Sequence, residues 1–379
     1  MMYLSTLLSE SKLKLNLPSD IKKIYKLFKK SGKQLYVVGG AVRDAILGKS
    51  PKDFDLATDA KPDEVLAIAK KGGFKTVEVG KSFGVVIVGG HEIATFRKDI
   101  GKGRRPDSVD FTDIRGDVMR RDLTINALFY DIGKSEIVDL VGGIKDLKKK
   151  KIRTVGNATA RFDEDPLRKL RALRFAGSVG GKMHKDTWNA LVKSPDLSGV
   201  SAERIRDEFV KGIKKAKSVP SYLKMIKKLG MFKQIFPGLN ILDSTHKTND
   251  YKLQIAYMLM TNGADKVKKK LKSLKYNNQE VHDMWFLIMI MNPREVIDNL
   301  PSIKNLQKNT KLTTSQIKLW ATTMHSDKNI LKIWNWKLSV TADDTKAEGW
   351  LGQGIGKYMS SKEEELFING PKRSKGIGY

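Results

Sequence analysis

Apolar residues return at helical spacing after Ser19, with Ile21, Ile24 and Phe28 on one side and Gly32 beyond them, which predicts a helix over residues 19–31. The period then shortens. Strand-like runs at Leu35–Val38, Phe54–Ala57, Phe74–Val79, Val85–Val88, Ile93–Phe96 and Ile137–Leu140 alternate with helical stretches and predict an α/β module ending near residue 150. From Asp163 the pattern turns helical, with Leu167, Leu170 and Leu173 on one stripe and further helices near 201–217, 219–229, 250–260 and 263–274. There is no fixed-period repeat and no long Pro- or Ser-rich linker, so boundaries follow changes of pattern.

The 379 residues, 40% hydrophobic and 30% charged, suffice for two or three modules. Lys and Arg number 71 against 42 Asp and Glu, a formal charge of +29 that suits a polyanionic partner. Basic runs at Lys148–Lys151 and Lys268–Lys270 fit a phosphate-facing surface. Six Trp and 8% aromatic residues argue against disorder. The absence of cysteine excludes a disulfide framework, a thiol nucleophile, Cys-ligated zinc and an iron–sulfur cluster. The longest apolar stretch, Met284–Met291, is far short of the roughly 20 residues a spanning helix needs, so a soluble protein with no membrane partner is expected. The opening MMYLSTLLSESKLKLNLP has no basic stretch before its apolar run and carries Glu10, unlike a secretory signal. A cytoplasmic location follows, with an organellar one left open.

The richest chemistry lies between Gly39 and Asp55. A strand (LYVV) runs into Gly39-Gly40 and then a short helix, where backbone N–H groups can meet phosphate with Arg43 one turn on. Asp53 and Asp55 stand two apart in a strand-like run and so point to the same side. Carboxylates that close repel unless a cation lies between them, and Mg²⁺ is the cation that prefers such oxygens.

The stretch GGAVRDAILGKSPKDFDLAT resembles the signature of class II tRNA nucleotidyltransferases (CCA-adding enzymes) and bacterial poly(A) polymerases, relatives of DNA polymerase beta. RRDLTINALFYD at 120–131, IVDLVGGIKDLKKKKIRTVG at 137–156, RFDEDPLRKLRALRF at 161–175 and SAERIRDEF at 201–209 continue the likeness in the family's order, over about half the chain. The resemblance implies an α+β (mixed α/β) nucleotidyltransferase head at 1–155 and an all-α remainder: a neck with a base template at 156–220, a body at 221–300 and a tRNA-binding tail at 301–379. Asp53 and Asp55 match the catalytic metal ligands of a two-metal Mg²⁺ site, with Glu92 in HEIATF as a candidate third acid on a neighbouring strand. Gly39, Gly40, Arg43, Arg120, Arg121, Asp122, Asn126, Arg171 and Arg174 fall in motifs that hold the nucleotide, Asp122 as acceptor for a ribose 2′-OH. The implied partner is the acceptor arm of tRNA, with CTP and ATP as substrates and no obligatory protein partner.

Asp165 and Arg168, three apart at a helix start, share a face and read on their own as an i,i+3 ion pair. The family's EDxxR motif makes them a template for the incoming base. Cytosine and adenine present an amino donor beside a ring-nitrogen acceptor, which suits a carboxylate beside a guanidinium. Uracil and guanine present the reverse and leave like groups facing each other, at ~1–3 kcal/mol each. The expected activity is addition of CCA to tRNA from CTP and ATP. CC-adding, A-adding and poly(A)-polymerase activities are the alternatives. GKSFGVVIV lacks the bulky basic pattern of the polymerase branch, whereas RKDIGKGRR is about two residues shorter than the family's loop that supports the switch from C to A. His282-Asp283 lacks the other ligands of a phosphohydrolase, so His282 reads as a helix-surface or capping residue, and Trp334 and Trp336 as packing residues.

Overall fold

Ile21, Ile24 and Phe28 are all buried on one side of helix α1 (Ser19–Lys30), so the predicted apolar stripe is the face that meets the sheet. The computed structural model describes residues 15–101, 108–243, 248–291, 300–324, 327–340, 343, 346 and 353–369. The chain divides into two units, Met1–Met231 and Phe232–Tyr379.

In the first unit β1 (Leu35–Val38), β2 (Asp55–Thr58), β3 (Thr76–Gly80), β4 (Val85–Val88), β5 (His91–Thr95), β8 (Leu128–Asp131) and β9 (Glu136–Asp139) make one sheet in the order β3-β4-β5-β2-β1-β8-β9. Only the β2–β5 pairing is parallel. The predicted strands are all present, with ends moved by up to two residues. β8 is the addition: three of its four residues are apolar, so alternation does not single it out, yet it pairs with β1 in the middle of the core. A hairpin of β6 (Arg97–Ile100) and β7 (Ser108–Phe111) stands apart from this sheet, and residues 102–107 of the shortened loop lie outside the described residues, as do residues 1–14.

Alternation along β1 divides the core in two. Leu35 and Val37 join Leu56, Ile93, Leu128 and Tyr130 under α1 and α3 (Pro62–Lys71). Tyr36 and Val38 face the other way with Ala57, Phe96 and Phe129, where Tyr36, Phe96 and Phe129 form a triangle with centroids 6.0–6.2 Å apart. Val118 from α4 (Ile114–Met119) closes part of this second face.

Helices α5 (Gly143–Lys148), α6 (Ala158–Glu164), α7 (Leu167–Val179), α8 (Lys185–Lys193), α9 (Ala202–Lys215) and α10 (Val219–Lys228) complete the unit. Leu167, Leu170 and Leu173 are buried as the stripe predicts. On α9, Gly212 faces the ring of Tyr222 from α10 so closely that an added Cβ would lie 2.1 Å from it.

The second unit, among its described residues, is helical, with helices at Tyr251–Leu259, Ala264–Ser273, Asn278–Met289, Leu300–Lys308, Thr314–Thr323, Asp327–Asn335 and Gln353–Asn369. The apolar run from Met284 fills its core, and no described helix is long and apolar enough to cross a membrane. The reading of His282 needs correction. It is half-buried between Trp285 and Phe286, and its Nε2 lies 3.0 Å from the Leu306 carbonyl, because its helix packs on that side. Asp283 is buried and accepts from Lys252 at 2.7 Å. Trp334 meets Phe286 edge-on and Trp336 meets Phe367, both as packing residues.

Candidate active site

The end of β1 sets the site. Val38 sits opposite Asp55 on one side and Phe129 on the other, so Asp55 projects from the aromatic face of the sheet beside the turn at Gly39. Gly39 has φ +69°, a left-handed conformation that favours glycine, and an added Cβ would meet Arg121 Nη1 at 3.4 Å. The Arg121 guanidinium lies 4.6 Å over the Phe129 ring.

A cavity of about 650 Å³ opens here and extends to α7 and α9. It gathers Gly39, Gly40, Arg43, Asp55, Arg120, Arg121, Asp122, Asn126, Asp165, Arg168 and Arg171, drawn from motifs far apart in sequence. Three expected residues stand outside its lining. Asp53 precedes β2 rather than belonging to it, although its charge still acts on Asp55. Arg174 is buried against Glu208, with its guanidinium 4.0 Å from the Phe175 ring, both partners being lining residues. Glu92 is exposed on β5, where Leu56 pairs with Ile93, and among the described residues no three acidic or histidine side chains converge as a metal cluster. Asp55 stands one position before Leu56 as Glu92 stands one before Ile93, so this register sets Glu92 beside Asp55 on the neighbouring strand, on the same side of the sheet.

Ion pairing inside the cavity is nearly complete. Asp117, 1% exposed, accepts from Arg120 at 2.7 Å and from Arg121 at 2.9 Å, and so holds both arginines of the RRD motif. Burial alone would push its carboxyl up, but Arg121 and Arg120 outweigh burial and hold it below the usual range. Asp122 accepts from Arg171 at 2.7 Å, from the Leu123 amide at 2.8 Å and from Asn126 at 3.2 Å. Against burial, Arg171 and these hydrogen bonds hold it low as well. Asn126 in turn accepts from Arg43 at 2.6 Å, while Arg43 also grips Asp44.

Asp165 and Arg168 do not pair with each other. Asp165 accepts from Arg204 of α9 at 2.8 Å and from the Leu167 amide at 3.2 Å. Arg168 donates to Glu164 at 2.7 Å and to the Arg120 carbonyl at 3.1 Å. Each is thus anchored from outside, with both side chains on the cavity wall. Asp55 is the exception among the six lining acids, having no ion pair within 4.0 Å. Protein packed around it pushes its carboxyl up even though one side is open to solvent; Arg121 works against the rise and the charge of Asp53 adds to it.

The sequence reading missed Asp117, Arg204 and the hairpin residues Arg97 and Asp99, which pair at 3.0 Å on the cavity wall. Asp117 had a signal, standing three and four positions before the two arginines of a helix end. Arg204 lay inside a quoted motif, but nothing in its spacing pointed at Asp165.

Residues 35–153 match the family model described as the Poly A polymerase head domain, and 181–242 match the probable RNA and SrmB-binding site of polymerase A. The chain is 44% identical over 191 residues to the CCA-adding enzyme of Bacillus pumilus, covering 48% of this chain and 46% of that protein. It is 31% identical over 260 residues to Poly(A) polymerase I of Haemophilus influenzae, covering 64% and 56%. The chain spans about half the length of the curated relatives it matches. Among solved structures it is similar to the Bacillus stearothermophilus CCA-adding enzyme in complex with CTP, with TM-score 0.66, 25% identity and 93% and 94% of the two chains covered. By its sheet, its motifs and these matches, the segment 35–153 is similar to the Poly A polymerase head domain, within a chain whose similarity to CCA-adding enzymes runs over about half its length.

Proposed function

We propose that this protein is a tRNA nucleotidyltransferase that adds CCA to the 3′ end of tRNA from CTP and ATP without a nucleic-acid template. The observation that carries the reading is the cavity itself. It sets one unpaired carboxylate, Asp55, on the same wall as anchored arginines and the Asp165–Arg168 couple. The similarity to enzymes named CCA-adding supplies the RNA and the bases.

The donors suit Mg²⁺, since Asp55 and Asp53 offer hard oxygens whose mutual charge lacks a paired cation. Bound there, the ion would supply activation of the RNA 3′-hydroxyl and neutralisation of the triphosphate. The protein's own part is positioning. Asp117 fixes Arg120 and Arg121 along the phosphate side. Asp122, held by Arg171, the Leu123 amide and Asn126, presents its carboxylate to a ribose 2′-OH. Arg204 orients the carboxylate of Asp165 toward an amino group, and Arg168, held by Glu164, faces the ring nitrogen.

The test offers CTP, ATP, UTP or GTP singly, with Mg²⁺, to tRNA lacking CCA, tRNA ending in CC and an unrelated RNA. C on the first substrate and A on the second are expected. Long A tails on the unrelated RNA would instead establish the poly(A) polymerase alternative, and no incorporation would overturn the reading.

A further inference from the structure

Seven arginines line the cavity, and each is held by a carboxylate: Arg43 by Asp44, Arg97 by Asp99, Arg120 and Arg121 by Asp117, and the remaining three by Glu164, Asp122 and Asp165. Lys211 is the one lining cation without such a partner among the described residues. It lies on the face of α9 that carries Arg204 and Glu208, at positions i, i+4 and i+7, and Lys215 follows one turn later on the same face. Lys215 likewise has no carboxylate within ion-pair distance among the described residues. The protein around it and the charges of Arg174, Arg43 and Lys211 press its ammonium below the usual lysine range, with the charge of Asp44 working against them. Everywhere else in the cavity the chain neutralises its own cations, whereas here two ammonium groups are added to arginines already present. Concentrated like charge of this kind raises the energy of the empty site and is relieved by an anion from outside.

We propose that Lys211 and Lys215, at the α9 mouth of the cavity, form a seat for phosphate, either the triphosphate tail of the incoming nucleotide or the backbone of the RNA strand. The inference rests on the reading of the cavity as a nucleotidyl-transfer site, and it deepens that reading by adding residues outside the motifs. Arg43 lies beside the Gly39–Gly40 turn, and its charge also acts on Lys215, which links the new seat to the phosphate end of the cavity. Both lysines are exposed, so changing them removes charge and leaves packing alone.

The test compares wild type with Lys211→Gln, Lys215→Gln and the double variant, measuring titration with inorganic tripolyphosphate, KM for CTP and for ATP, and Kd for tRNA at several salt concentrations. Loss of two charge-assisted contacts is expected to weaken tripolyphosphate binding by about tenfold in the double variant, with unchanged melting temperature. KM for CTP and ATP should then rise together while the choice between bases stays the same, because phosphate is common to both. A fall confined to tRNA affinity, with a shallower salt dependence, assigns the seat to the RNA backbone instead. Tripolyphosphate and tRNA affinities both within twofold of wild type overturn the seat. Wild-type protein that binds tripolyphosphate through these lysines yet incorporates no nucleotide overturns the transfer reading and leaves the seat standing.

Discussion

Asp165 has one carboxylate oxygen on Arg204 and the other on a backbone amide, and that anchoring makes its function separable from its stability. Asp165→Ala removes both the attraction for the amino group of C or A and the repulsion of the carbonyl of U or G. Discrimination against UTP and GTP should fall by about tenfold or more, and the rate with CTP should fall too because the base is less well oriented. Arg168→Ala should act the same way through the ring nitrogen. Single-nucleotide incorporation on one truncated tRNA reads both, and unchanged selectivity in both variants would remove the template role. Asp117 works differently, as a buried acid whose folded-state pKa lies below the unfolded value. Its stabilisation is therefore complete above the unfolded pKa of about 3.9 and is lost as pH falls through the lower, folded value. Asp117→Asn should cost about 2 kcal/mol at neutral pH and progressively less as the pH drops below 4, which urea melts at pH 7 and pH 3.5 would reveal.

Among elements, α9 joins the cavity wall to α10. One side presents Arg204, Glu208 and Lys211 to the cavity, and the opposite need, close contact with Tyr222 of α10, is met by the absence of a side chain at Gly212. A methyl group there would strike a ring that is fully buried and has no room to retreat. Gly212→Ala is expected to destabilise the first unit by about 1–3 kcal/mol despite the better helix propensity of alanine. Because α9 would shift against α7, nucleotide KM should rise as well. A melting temperature at or above wild type would show that Tyr222 can move.

For the whole molecule the charge of +29 matters more than any single contact. Within the cavity every lining arginine is paired with a carboxylate, so most of the excess lies on the rest of the surface, where it can meet RNA phosphates. Each phosphate neutralised releases counterions, and six such contacts would weaken tRNA binding by about a thousandfold between 50 and 200 mM salt. Filter binding or fluorescence anisotropy across that range would test it. A flat response would mean that the basic surface serves another partner.

The sequence by itself determined the mixed head, the helical remainder and most of the residues that meet in the cavity. Alternation and the Gly39–Gly40 turn are local features, and the motifs carried the rest. Sequence spacing could not say which of those residues hold each other. Asp165 and Arg168 look like an i,i+3 pair along the chain, yet their partners are Arg204 at 39 positions and the Arg120 carbonyl at 48. Arg171 meets Asp122 across 49 positions and Arg43 meets Asn126 across 83. These separations belong to the packing of helices on a sheet face, where chain distance carries no information. The same packing turned Arg174 onto Glu208 and brought Lys211 into the cavity without a counter-charge among the described residues. Local propensity decides which segments are helix or strand, and only the tertiary structure decides which charges are neutralised and which are left for a ligand.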